Sequence, residues 1–363
     1  MSKGAVGLTA GYWPEDVYRY LATPGISLDD GLITRPGKRK PDHPALIGYH
    51  RTVTYRQLSE EIDQTMKAVL SVSEGKGVRL AMALREPIAL VKLIFGGLKA
   101  RCTIFVMNPD LPGDEMTREI GQFAPDLVVL DDASRRKVES FPDGARVLSF
   151  EELEGARPTV TAPRGRQDLN APAIAITMDD GGVVYHSHKS LLSGAVSWST
   201  FVPLKAEDLI LALQPLWRWE GIYSLFPILF RGGTCLLGDL EDPERLAQAV
   251  RSHRPIYTIL PRLEARKLYQ SDYKPAVQVF RETLQGLFVS TLGPFTALGR
   301  RRLRNLLNRP ALLMYGSAGA GPVLSSHPTW YLDAAVGMPV TNVDVWPLNP
   351  ANGNPLEVPW ETI

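Results

Sequence analysis

Residues Ile174–Leu192 read IAITMDDGGVVYHSHKSLL, and the rest of the chain is arranged about them. Ile174–Thr177 is a short apolar run of the kind a buried strand carries. Asp179, Asp180, Gly181 and Gly182 make a turn, and Val183–Tyr185 resumes an extended pattern. His186, Ser187, His188 and Lys189 follow at once. A strand, a glycine turn and a polar cluster in succession mark a place where α/β proteins put chemistry. Two acids occupy the turn, where a phosphate-cradling loop needs Ser, Thr, Gly and Lys.

On the N-terminal side, residues 1–45 are rich in Gly, Pro and charge, with one short helix expected near Pro14–Leu21. Pro44–Tyr49 and Thr52–Tyr55 read as a hairpin, and Thr54 to Gln57 as a capping box opening a helix. Strands are expected at Val78–Ala83, Thr103–Met107, Leu127–Leu130 and Arg146–Ser149, with helices at Glu86–Lys99 and Leu111–Phe123. On the C-terminal side the alternation repeats. Helices are expected at Ser190–Phe201, Tyr223–Phe230 and from Asp242-Pro243, and strands at Leu209–Leu213, Thr234–Leu237, Tyr257–Leu260, Leu287–Ser290 and Ala311–Met314. Such alternation implies parallel sheets with crossover helices. Pro158–Pro172 is the best boundary, which predicts one αβ unit over 1–165, a second over 166–335, and the start of a β-rich unit over 336–363.

The bulk numbers exclude several classes. The chain has 363 residues, 44% of them hydrophobic and 22% charged, so a packed globular protein is expected. A net charge of +1 supplies no field for nucleic acid or an anionic membrane surface. Cys102 and Cys235 do not make a disulfide framework, which points to a reducing cytoplasm. The N-terminus carries no apolar signal segment, and the longest near-apolar run, Ile222–Phe230, falls far short of the roughly 20 residues of a membrane span.

In this order the landmarks resemble the large N-terminal domain of the adenylate-forming ligases, which include acyl-CoA synthetases, nonribosomal-peptide adenylation domains and luciferases. Thr54-Tyr55 with Leu58 resembles the early Thr-Tyr-x-x-Leu, and Gly97–Ala100 through Asn108-Pro109 an LKAGA…PLNP block. Gln214–Gly221, Asp242–Leu246, Ser290–Phe295, Tyr315–Val323, Val336–Val340 and Gly353–Leu356 follow in family order. The resemblance implies two doubly wound αβ subdomains packed together, the start of a β-rich one, and no small C-terminal domain within this chain. It also implies ATP, Mg and coenzyme A as cofactors, and transfer of an acyl or aryl carboxylate through an acyl-adenylate to a thiol.

The residues depart from that chemistry. The turn at Asp179, Asp180, Gly181 and Gly182 is about four residues shorter than the family's phosphate loop and has neither lysine nor hydroxyl cluster. Two carboxylates beside a triphosphate repel it by roughly 1 kcal/mol per charge pair even in water. Where the family has the Thr and Glu that hold phosphate and Mg, this chain has Ala318 and Gly319. The resemblance places the adenine pocket at Ser290, Thr291, Leu292, Gly293, Tyr315, Gly316 and Ser317, so AMP binding by stacking on Tyr315 stays open. It places the acyl pocket at Trp217, Arg218, Trp219, Glu220 and Gly221. There Arg218 either grips a ligand carboxylate between two tryptophans or pairs internally with Glu220.

Other readings of single motifs are weaker. His186 and His188, two apart, would share one face of a strand beside Asp179 or Asp180 and suggest a metal pair. The resemblance makes them a packing and capping segment instead. Tyr315–Gly319 falls short of a nucleophile elbow, because a tyrosine stands where the first glycine belongs. Arg300, Arg301, Arg302 and Arg304 read as the solvated face of an amphipathic helix. No catalytic residue and no metal ligand is assigned. The expected function is a degenerate ligase-like protein that binds a small molecule, a protein partner or another copy of itself. The alternative is an AMP-forming ligase working by altered chemistry or with a C-terminal domain in trans.

Overall fold

The alternating apolar runs and amphipathic helices fold into two sheets, and apolar clusters cover both faces of each. The computed structural model describes residues 17–156, 165–178, 180–291, 295–329, 331–333, 335–346, 348–349 and 351–354.

A π-helical turn at Asp30–Thr34 and α1 (Arg35–Arg39) lead into the hairpin β1 (Pro44–Ile47) and β2 (Thr52–Thr54). Then come α2 (Tyr55–Val72), β3 (Arg79–Ala83), α3 (Pro87–Lys99), β4 (Thr103–Val106), α4 (Gly113–Phe123), β5 (Leu127–Leu130), α5 (Asp132–Arg135), β6 (Arg146–Leu148) and α6 (Phe150–Glu154). The second half runs β7 (Pro172–Thr177), β8 (Val183–Ser187), α7 (His188–Phe201), β9 (Leu209–Ala212), α8 (Trp219–Arg231), β10 (Thr234–Leu237), α9 (Pro243–His253) and β11 (Tyr257–Pro261). It continues through α10 (Arg262–Ala265), α11 (Lys274–Thr283), β12 (Gly286–Thr291), α12 (Ala297–Leu307), β13 (Ala311–Ser317), β14 (Gly321–Ser325) and β15 (Met338–Pro339).

One sheet has the order β6-β5-β3-β4-β7-β8, parallel except for the β7–β8 hairpin at its edge. The other has the order β15-β14-β13-β12-β11-β9-β10-β1-β2, with parallel strands from β13 to β1 and antiparallel edges. The fold is the α/β architecture of two parallel-rich sheets that the alternation implies.

The division expected at residue 165 does not separate the sheets. β1 and β2 leave the first half to pair with β10, and β7 and β8 come back from the second half to pair with β4. The hairpin β1–β2 exposes one edge that β10 can extend, so its partner is set by tertiary packing rather than by sequence neighbourhood. Within 336–354, β15 joins the second sheet through β14.

Local chemistry explains most boundaries. Thr54 Oγ1 accepts the Gln57 N–H at 3.3 Å and Gln57 Oε1 accepts the Thr54 N–H at 2.9 Å, the capping box expected for α2. Leu58, Ile62, Met66, Val69 and Leu70 bury its apolar stripe. Residues 17–21 carry no helix, contrary to the helix expected near Pro14–Leu21, whose residues 14–16 lie outside the described ones. Helical structure begins instead at Leu28, and buried Gly31, Leu32 and Ile33 of the π-helical turn pack against the second-half helix α8.

α12 departs from the expected solvated arginine face at Arg300, whereas Arg301 and Arg302 are exposed as expected. Arg300 is 1% exposed, and its guanidinium donates to the carbonyls of Ala311, Leu332, Asp333 and Ala335 and to Ser326 Oγ. It ties the segment after β14 to the sheet.

Candidate functional site

The carboxyl ends of parallel strands from both sheets meet around one cleft, the position at which open α/β sheets bind ligands. A cavity of about 270 Å³ lies there, lined by Asn108 beyond β4, Glu119 on α4, Thr177 and Met178 at the end of β7, Trp217–Glu220 at the start of α8, and Ala318 beyond β13. It thus joins three regions singled out in the sequence: the turn after Thr177, the Trp217–Glu220 segment and Ala318.

Three amides of the β7–β8 turn are bonded within the turn itself. Met178 N–H donates to Gly182 O at 2.7 Å, Gly181 N–H to Met178 O at 3.0 Å, and Gly182 N–H to Asp180 Oδ1 at 2.9 Å. Gly181 adopts a φ of +81°, which glycine tolerates without strain. Asp179 lies outside the described residues, and Asp180 is exposed. The turn therefore joins two antiparallel strands and keeps these donors for itself.

Its neighbours are anionic. Thr177 Oγ1 donates to Glu119 Oε1 at 3.1 Å, and Glu119 is 6% exposed. Burial pushes the Glu119 carboxyl above the usual range, a rise that the Thr177 hydrogen bond partly opposes. Glu220, 4% exposed, accepts from Ser290 Oγ at 2.8 Å through Oε1, and its Oε2 faces Arg218 Nε at 3.6 Å. That separation is an ion pair without a hydrogen bond. The internal pairing of Arg218 with Glu220 is therefore present, with the Arg218 side chain 45% exposed at the rim. Glu119 escaped the sequence reading. Its signal was a charge inside an apolar helical stripe, since Met116, Ile120 and Phe123 are buried beside it on α4.

Gly221 serves packing. A Cβ there would lie 2.1 Å from the Pro215 carbonyl oxygen, so only glycine lets α8 start against that segment. Trp219 is buried and meets Tyr223 edge-on at 6.2 Å, while Trp217 is half-buried on the cavity wall.

The described residues assigned to an adenine pocket do not line this cavity. Ser290 is committed to Glu220. Thr291 pairs in register with Tyr315, whose ring is exposed, and Gly316 packs against the Gly321 carbonyl. Ser317 Oγ accepts the Ala320 N–H at 3.3 Å and closes the β13–β14 turn. Leu292 and Gly293 lie outside the described residues. Gly319 is exposed, whereas the Ala318 carbonyl accepts a hydrogen bond from His186 Nε2 at 2.8 Å.

The histidines part company. Ser187 Oγ accepts the Ser190 N–H and caps α7. His188 then turns inward, its Nδ1 accepting the Leu28 N–H at 3.2 Å and its Nε2 lying 2.7 Å from the Gln167 amide. Burial pushes both imidazoles below the usual range, which keeps them neutral at pH 7. They do not form the one-faced pair considered for a metal, and no group of three or more His, Cys, Asp or Glu side chains among the described residues is arranged to hold an ion.

Comparison with known proteins places this architecture among the adenylate-forming ligase-like proteins. The family model described as "AMP-binding enzyme" matches residues 33–174 and 182–362, and the chain belongs to that family. The match is interrupted over 175–181, the end of β7 and the acidic turn. The anthranilate CoA ligase AuaEII, solved with anthranoyl-AMP, superposes with a TM-score of 0.81 at 17% identity over 93% of this chain and 67% of its own. A benzoate CoA ligase from Burkholderia xenovorans LB400 gives 0.78 at 18% identity over 91% of this chain and 69% of its own. Among sequence relatives, bacitracin synthase 1 of Bacillus licheniformis is 23% identical over 234 residues, which is 61% of this chain and 4% of that protein. The chain thus spans a small part of such a synthase.

Proposed function

We propose that this chain is a ligase-fold protein that does not adenylate a carboxylate by itself and acts through ligand or partner binding. The observation that carries this reading is the turn at 178–182, whose Met178, Gly181 and Gly182 N–H groups are spent on the turn itself. Anion-binding loops work by presenting such groups outward. A triphosphate at this cleft would also face the buried Glu119 and Glu220, each pair at roughly 4 Å costing about 4 kcal/mol at an effective dielectric near 20. Ala318 and Gly319 offer neither a hydroxyl nor a metal ligand. The interruption of the family match over 175–181 falls on the same segment.

This reading assigns no ATP, AMP, Mg or coenzyme A to the chain. It also disfavours the acyl or aryl carboxylate expected from Arg218, because Arg218 already faces Glu220 and two buried carboxylates outnumber it. Remaining occupants are a different small molecule, a protein partner or another copy of the chain. Two free, buried thiols, Cys102 and Cys235, accord with the expected cytoplasmic setting. No helix among the described residues is long and apolar enough to cross a membrane.

A second reading, an AMP-forming ligase with altered chemistry or a C-terminal domain supplied in trans, draws on one feature. Tyr315 keeps an exposed ring beside Thr291, where a base can stack. Thermal-shift titration with ATP, AMP and an acyl-adenylate mimic, each with and without Mg, separates the two. The first reading expects no shift at millimolar ligand, and a saturable shift with the mimic or with MgATP would favour the second.

A further inference from the structure

Glu119 and Glu220 line one cavity, reach it from α4 and α8, and are both more than nine-tenths buried. One oxygen of each, Oε2, is buried and has no hydrogen-bond partner, while Oε1 of each accepts from a hydroxyl, Thr177 on one side and Ser290 on the other. A buried carboxylate oxygen left without a donor costs about 1–3 kcal/mol or more, so a ligand that supplies N–H groups and positive charge recovers that loss on binding. Arg218 is the sole cation on the described lining, sits at the rim, and stands 3.6 Å from Glu220. The described lining thus holds two acids against one base. Trp217 and Trp219 add indole rings to the wall, and such rings attract cations through their faces.

We propose that this cavity binds a small primary ammonium ion, held by the carboxyl groups of Glu119 and Glu220 against the tryptophan wall. The inference rests on the non-adenylating reading, in that it names the ligand class of the same cleft. It assigns the buried acids to recognition. The volume of about 270 Å³ suits a molecule near the small end of ligand pockets, such as an arylalkylamine.

Isothermal titration of the full chain at pH 7.5 tests this with phenethylamine, its isosteric alcohol 2-phenylethanol, and phenylacetate. Saturable binding of phenethylamine is expected, with the alcohol and the carboxylate at least tenfold weaker. Glu119→Gln keeps the shape, removes the charge, and is expected to weaken phenethylamine at least tenfold more than it weakens 2-phenylethanol. The wild-type comparison among the three ligands stands even where Glu119→Gln fails to fold. Phenylacetate binding as tightly as the amine, no amine saturation up to 10 mM, or unchanged amine affinity in Glu119→Gln would each overturn the proposal. Pyrophosphate release is read separately. A chain that binds the amine and also releases pyrophosphate refutes the non-adenylating reading alone, and one that does neither refutes the amine site alone.

Discussion

Glu119 sits where the apolar stripe of α4 meets the cleft, between buried Met116, Ile120 and Phe123. Burial raises its pKa, so the folded protein holds the neutral carboxyl more tightly than the unfolded chain does. That contribution is complete below the unfolded value and is lost as pH rises through the folded one. Glu119→Gln removes the titration, and its denaturation midpoint is expected to gain on wild type as pH is raised from 4 to 8. Parallel urea melts across that window check this, and equal slopes for the two proteins would contradict it. Among the described residues, Ser290 supplies the one hydrogen bond that the Glu220 carboxyl receives. Ser290→Ala is expected to cost about 1–3 kcal/mol in chemical denaturation, because it leaves the second carboxylate oxygen bare as well. At this scale the sequence was only partly legible. The Trp217–Glu220 segment and Ala318 could be placed at the cleft from motif order. Glu119 could not, because a helical stripe predicts burial for that position without saying what else converges on it.

At the level of elements, the acidic turn and α12 show opposite outcomes. The turn reads from sequence as a short acidic link between two strands, and the β7–β8 hairpin is that link, closed by its own amide groups. The arginine-rich helix reads as solvated, yet Arg300 is buried and ties down carbonyls on the segment 332–335. A periodicity argument cannot see this, since the partners are backbone oxygens some 30 residues away and carry no side-chain signature. Arg300→Leu is expected to destabilise by roughly 3 kcal/mol by stranding those acceptors. Arg301→Ala, on the exposed face, is expected to stay within about 0.5 kcal/mol of wild type. Equal effects for the two in guanidinium melts would refute the tether.

On the scale of the whole molecule, strand and helix alternation foretold two parallel-rich sheets, but not that they exchange strands. β1 and β2 serve the sheet built mainly by the second half, and β7 and β8 serve the one built by the first. A fragment ending at residue 165 therefore lacks the edge hairpin of its own sheet and carries an orphan hairpin meant for the other. It is expected to lack cooperative thermal unfolding, and a sharp calorimetric transition from that fragment would contradict the interlocked topology. The same architecture brings three features, the turn after Thr177, the buried acids and Ala318, to one cleft. Their convergence makes the central claim one of chemistry. Release of pyrophosphate from MgATP by the purified chain, measured with benzoate, anthranilate and a broader panel of carboxylates, tests it directly. The account predicts no carboxylate-dependent release above the ATP-only background, and release that depends on any one carboxylate and saturates with it would contradict the account.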